Sequence, residues 1–178
     1  MLNKIHSMVS MFFFKLLGND YRIKTLRKRG VKIGSNCRIY GYSWSTEPYL
    51  IEIGDHVVIA KGTSFMTHDG GVWIFRDKDP NIDLFGKIKV GNNCVIALNV
   101  IILPNTTIGN NCVIGAGSVV RGVIPDNSVA IGNPAKVIMS TGIYYAMIKN
   151  NPGKMNTAGI PDKEKEKIIL ERFSKIVN

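Results

Sequence analysis

Six β-branched residues, Val90, Ile96, Ile102, Ile108, Ile114 and Val120, recur at intervals of six without a break. A period of six is too long for one alternating strand and out of step with a helical turn. It suits short strands joined by tight turns, three hexads closing one triangular coil. The aliphatic side chains then point inward and stack coil upon coil, about 4.8 Å apart at the usual strand spacing. Small residues follow most of the aliphatic ones (Gly91, Ala97, Gly109, Gly115), and residues of modest size stand four positions on (Cys94, Val100, Thr106, Cys112, Ser118). Gly91-Asn92-Asn93 and Gly109-Asn110-Asn111 place residues tolerant of left-handed backbone one coil apart. The pattern predicts an all-β parallel β-helix.

Earlier segments echo the repeat: Ile33-Gly34-Ser35-Asn36 with Ile39, and Ile53-Gly54-Asp55-His56 with Ile59 and Phe65. The spacings from Ile33 to Ile53 and from Phe65 to Val90 are not multiples of six. They imply a short insert near Tyr40 to Tyr49 and a longer extruded loop over 67–89. About four coils are expected, in a domain spanning 31–139. Residues 1–30 read as an N-terminal helical segment and 140–178 as a C-terminal helical extension, with helices over Tyr144–Lys149 and Lys163–Val177. Terminal helices suit such a fold, because its end coils expose strand edges and core.

The chain has 178 residues, three cysteines and a net charge of +10. An odd, low cysteine count argues against a secreted disulfide scaffold. Cys37, Cys94 and Cys112 fall at the inward position four after an aliphatic corner, which predicts buried, unreactive thiols. The apolar run Met8 to Leu17 contains Lys15 and is about half the roughly twenty residues a spanning helix needs. No small-residue signal-peptidase site follows it. A cytoplasmic location is therefore expected. The segment 1–17 is read first as a packing helix, with peripheral membrane contact as the competing reading. The positive charge favours anionic partners without choosing among nucleic acid, membrane and phosphorylated cofactor. No nucleic-acid reading motif accompanies it, so no nucleic-acid partner is expected.

Ile114-Gly115-Ala116-Gly117-Ser118-Val119-Val120, followed by Gly132-Asn133-Pro134-Ala135-Lys136-Val137-Ile138, resembles the closing signature of the hexapeptide-repeat acyltransferases. Phe65-Met66-Thr67-His68-Asp69-Gly70-Gly71 resembles the start of the loop that carries that family's catalytic histidine. The resemblance covers about Val31 to Ile138, and is greatest to short O-acetyltransferases of bacterial sugars and surface polysaccharides. It implies a left-handed coil, against the usual right-handed crossover rule. It also implies a homotrimer, and acetyl-coenzyme A (acetyl-CoA) bound between neighbouring subunits with no metal required. Matching segments assign cofactor contacts to Leu98, Ala116, Gly117, Arg121 and Lys136. Arg121-Gly122 stands where many relatives carry threonine and lysine, and Leu98 where they carry a small residue.

Of three histidines, His6 and His56 read as surface residues, and His68 is the candidate general base. An imidazole can take a proton from an acceptor hydroxyl, whose oxygen then attacks the thioester carbonyl. Backbone N–H groups would hold the oxyanion. A carboxylate should orient the ring; Glu47, Asp69 and Asp83 are candidates, with Glu47 preferred because its segment matches the family. Trp73, Arg76 and Asp83 are candidates for binding the acceptor, a saccharide or another small molecule. Packing is as good an account of Trp73 as sugar stacking. An amino-sugar N-acetyltransferase, a xenobiotic acetyltransferase and a non-catalytic scaffold are the competing readings. A γ-class carbonic anhydrase would need a three-histidine zinc site, and the repeat region holds only His56 and His68.

Overall fold

The computed structural model describes residues 18–41 and 43–174; the apolar segment 1–17 lies outside the described residues. Three parallel sheets form the sides of a coil. One stacks Lys32–Ile33, Ile51–Ile53, Ile88–Val90, Thr106–Ile108 and Val123–Ile124. A second stacks Arg38–Ile39, Val58–Ile59, Val95–Ile96, Val113–Ile114 and Ser128–Gly132. The third stacks Ser43–Trp44, Ser64–Phe65, Ile101–Ile102 and Val119–Val120.

The sheets define about five coils where the hexads suggested four. The difference lies at the end of the regular repeat. Ile108 pairs with Ile124, sixteen residues on instead of eighteen. The corner at Arg121-Gly122 is shortened, Gly122 taking a left-handed φ of 72°. A broken period thus hides an unbroken ladder. The first coil is disguised in the opposite sense: Ile33 pairs with Ile53, so two extra residues swell its corner. The extruded loop closes at Lys87, because Ile88 is already a fully buried ladder residue.

Inward residues form continuous columns. Ile39, Ile59, Ile96, Ile114 and Ala130 stack on one side, and Trp44, Phe65, Ile102 and Val120 on another, all buried. Trp44 and Phe65 stack face to face, ring centroids 4.5 Å apart. Each fully buried aliphatic contributes roughly 1.5–3 kcal/mol of transfer free energy.

One corner is held by side-chain ladders. His56, Asn93, Asn111 and Asn127 all adopt positive φ. Their side chains bond in series, His56 Nδ1 to Asn93 at 2.8 Å and the following asparagine pairs at 2.9 Å. Next to them Asn92, Asn110 and Asp126 each accept the backbone N–H of the coil before, at 2.8–2.9 Å. Inside this corner lie the three free, buried cysteines. The thiols of Cys94 and Cys112 donate to the carbonyls of Gly109 and Pro125 in the next coil. Burial pushes the Cys94 thiol up to about 12.

The open first coil is covered by helix α1, Asn19–Lys28. Asn19 acts as a substitute strand: its amide donates to Cys37 O at 2.8 Å and its oxygen accepts Ile39 N–H at 2.7 Å. Arg22 and Arg27 donate to the carbonyls of Ile39 and Ile33, while Leu26 is wholly buried. At the other end Ala135–Ser140 folds back antiparallel on Ser128–Gly132. The remainder forms a second compact unit from Gly142. Its helices, α2 (Thr141–Lys149, which begins on the last residue of the first unit) and α3 (Asp162–Ser174), start slightly before the positions expected from sequence. Arg172 joins α3 to the Pro152 carbonyl. No described helix is long and apolar enough to cross a membrane.

Candidate active site

The third sheet builds the site. Ser43 pairs with Ser64 and Trp44 with Phe65. Beyond these strands the chain leaves the coil in the same register, which sets Glu47 beside His68. His68 Nδ1 lies 2.9 Å from Glu47 Oε2. A carboxylate can only accept, so Nδ1 carries a proton, and in the neutral ring Nε2 holds the lone pair. The histidine side chain is 43% exposed and the glutamate 15%. The imidazole is thus reachable while its partner is largely enclosed.

Glu47 is surrounded by hydroxyls. Thr46 Oγ1 donates to Oε1 at 2.6 Å, and Thr67 Oγ1 lies 2.8 Å and Ser45 Oγ 3.3 Å from Oε2. The Thr46 hydroxyl is the chief cause of a carboxyl held at about 2, aided by His68 and Thr67 and opposed by burial. The carboxylate therefore remains charged throughout the neutral range.

The neck of the extruded loop pins His68. Asp69 N–H donates to Leu84 O, Gly86 N–H donates to Thr67 O, and His68 bridges Phe85 in antiparallel fashion. Beyond the neck, Gly70–Phe75 form a 3₁₀ helix capped by Asp69, whose carboxylate accepts Gly71 N–H at 2.8 Å. Asp69 thus serves the loop backbone, and its neighbour in sequence takes a different carboxylate. Asp83 is likewise engaged elsewhere, accepting from Arg76 at 2.7 Å. The Arg76 guanidinium lies 5.9 Å from the Trp73 ring centroid. Trp73 itself is 75% exposed, so packing within this chain does not account for it.

These residues line one cleft of about 360 Å³, with Thr46, Val72, Leu84 and Phe85 completing its walls. Sequence reasoning passed over Ser45, Thr46 and Thr67; the twenty-one-residue offset between two tryptophan–phenylalanine-centred segments was the signal that could have found them. A larger groove of about 870 Å³ lies between α1 and the first coil. It holds no acid–base pair within hydrogen-bond reach, so the smaller cleft is the chemical candidate. Among the described residues no three His, Cys, Asp or Glu side chains are placed to hold a metal ion.

The expected donor residues lie on outer turns of the coil. Gly117, with φ of 71°, donates its N–H to Leu98 O at 2.9 Å, stacking one corner on the next. Ala116 and Leu98 are exposed there, as is Arg121 at the next corner along the chain. Lys136 is exposed on the closing strand opposite Ile131.

The stacked coils define a parallel β-helix, with the half-exposed His68 and its partner Glu47 at the neck of its extruded loop. Residues 87–122 match the bacterial transferase hexapeptide family (six repeats). The chain is 48% identical over 164 residues to Protein CapG of Staphylococcus aureus, covering 90% of this chain and 94% of that protein. It is 40% identical over 93 residues to galactoside O-acetyltransferase of Escherichia coli, covering 52% of this chain and 45% of that one. A solved galactoside acetyltransferase in complex with coenzyme A superposes with a TM-score of 0.57 at 26% identity, covering 76% of this chain and 79% of the other. The chain belongs to the bacterial hexapeptide-repeat transferase family, with its left-handed parallel β-helix, and the galactoside enzymes it resembles are acetyltransferases.

Proposed function

We propose that this protein moves an acetyl group from acetyl-CoA to a hydroxyl of a sugar or polysaccharide precursor, with His68 as general base. The observation that carries the reading is the Glu47–His68 pair in the wall of a cleft, where the carboxylate holds a proton on Nδ1. The acceptor hydroxyl gives its proton to Nε2, and its oxygen attacks the thioester carbonyl. The imidazolium, balanced by the Glu47 carboxylate, then returns the proton to the departing thiolate. Glu47 does not change protonation; it fixes the tautomer and offsets the transient positive charge.

Acetyl-CoA suits the chemistry of the outer wall. Ala116 and Gly117 leave room for the pantetheine arm along the corner, and Arg121 and Lys136 offer cations for its phosphates. The coenzyme A complex of the galactoside acetyltransferase supports the same donor. Val95, Leu98 and Ile101 are exposed apolar residues around one corner, which suits a homotrimer with donor sites between subunits. Trp73 offers a broad exposed face for a sugar ring, and Asp83, held by Arg76, offers a carboxylate oxygen to sugar hydroxyls. A cytoplasmic location suits such a donor.

Thiol release from acetyl-CoA against a panel of sugars, nucleotide sugars, amino sugars and small alcohols tests the reading. Acceptor-dependent release by the native protein and its loss in His68→Ala are expected. Equal turnover in both would remove His68 as the base, and turnover confined to amino sugars would make the enzyme an N-acetyltransferase.

A further inference from the structure

Ser45 is the anomaly in the site. It holds a left-handed φ of 49°, a conformation that the neighbouring corners of this face give to Asn105 and Gly122. A serine gains nothing there from its backbone, since neither a missing Cβ nor an amide side chain relieves the strain. Its hydroxyl is what the position uses. Ser45 Oγ lies 2.7 Å from Thr67 Oγ1 and accepts the Thr67 N–H at 3.2 Å. Thr67 is wholly buried and precedes the histidine directly.

Counting protons fixes the direction of these bonds. Each hydroxyl has one hydrogen, and Glu47 Oε2 can only accept. The two short contacts are satisfied together only if Thr67 donates to Glu47 at 2.8 Å and Ser45 donates to Thr67 at 2.7 Å. The chain then runs Ser45 to Thr67 to Glu47, and His68 Nδ1–H reaches the same Oε2 from the other side. The alternative order would replace the 2.8 Å hydroxyl contact to Oε2 from Thr67 with the longer 3.3 Å one from Ser45.

We propose that Ser45 and Thr67 are positioning residues for the transfer reaction: a directed hydroxyl chain that locks the Glu47 carboxylate, and through it the tautomer and aim of His68. This rests on the assignment of His68 as the base. Strain is retained at Ser45 because a more comfortable residue would break the chain.

The test uses the full-length protein with Thr67→Val, Thr67→Ser, Ser45→Gly, Glu47→Gln and the Thr67→Val/Glu47→Gln pair. Thr67→Val is expected to lower kcat about tenfold with KM for acetyl-CoA unchanged, as an interaction made through the transition state does. Thr67→Ser should restore most of it. Ser45→Gly should lower kcat while Tm holds or rises. The double variant should be no slower than Glu47→Gln alone, since groups acting in series are not additive. Nitrogen-15 NMR of the His68 ring supplies a readout independent of turnover: Nδ1–H in the native protein, a mixture of tautomers in Thr67→Val and Ser45→Gly. Unchanged ring signals in both variants, or additive losses in the double variant, would overturn the proposal. If the native protein transfers acetyl to no acceptor, the functional reading fails, and the ring signals still decide the hydroxyl chain.

Discussion

Glu47 and His68 stand twenty-one residues apart, the same offset as Trp44 and Phe65, which pair across the third sheet. The acid–base pair is therefore the parallel register of the coil carried three residues past its last strand. The stacked rings at 4.5 Å anchor that register, and the polar pair inherits its alignment from an apolar one.

Removing the base should cost more than removing its partner. His68→Ala should reduce kcat by about 10²–10⁴-fold, the usual contribution of a positioned general base. Glu47→Gln should cost less, because the ring remains beside a hydrogen-bonding group. Steady-state thiol release would measure both, and a greater loss in Glu47→Gln would reverse the assigned roles.

Acid should erase the stabilising contribution of Glu47. Its folded carboxyl sits at about 2, below the ordinary 4.5. The contribution is fully present above the unfolded value and disappears as pH falls through the folded one. Urea unfolding should show Glu47→Gln less stable than the native protein at pH 7 by about 1–2 kcal/mol after allowance for solvent screening. That gap should close as pH falls from about 4.5 towards 2. A gap independent of pH would mean that packing, and not charge, sets it.

The cap over the first coil should be sensitive to one side chain. Asn19→Ala strips partners from Cys37 O and Ile39 N–H together. Two backbone groups left wanting partners should cost about 1–3 kcal/mol. An exposed strand edge should also raise self-association. Denaturant titration and light scattering read the two effects separately.

The thiols should be silent in the folded state. Cys37, Cys94 and Cys112 are buried, and Cys94 is pushed up to about 12. A thiolate is the reacting species, so an aromatic disulfide reagent should label none of the three until the chain unfolds. Rapid labelling of one cysteine at neutral pH would show that its corner opens.

How much of this was legible depended on whether spacing survived. Val90 to Val120 keep the hexad period, and the aliphatic column could be read from it. Ile33 to Ile53 and Ile108 to Ile124 depart from eighteen by two in opposite directions. Strand pairing tolerates such changes because corners absorb them, whereas a periodicity does not; hence the missing coil. In the site, a histidine and a carboxylate are conspicuous as residue types, so His68 and Glu47 were readable as candidates. Ser45, Thr46 and Thr67 are ordinary residues whose importance comes only from convergence on one carboxylate. Asp69 lost the ring to Glu47 for a backbone reason: the 3₁₀ turn that follows needs its carboxylate as a cap.

The extruded loop is tied at its neck by Thr67–Gly86 and Asp69–Leu84. The neck, and not the tip, therefore holds the pair beneath it in place. Length and sequence between Gly70 and Asp83 can drift, closure of a longer loop costing only about 0.6 kcal/mol per doubling, while Glu47 and His68 keep their geometry. Under the proposed function, a lineage built on this scaffold would exchange acceptors by rewriting one surface insertion, without having to reinvent the chemistry.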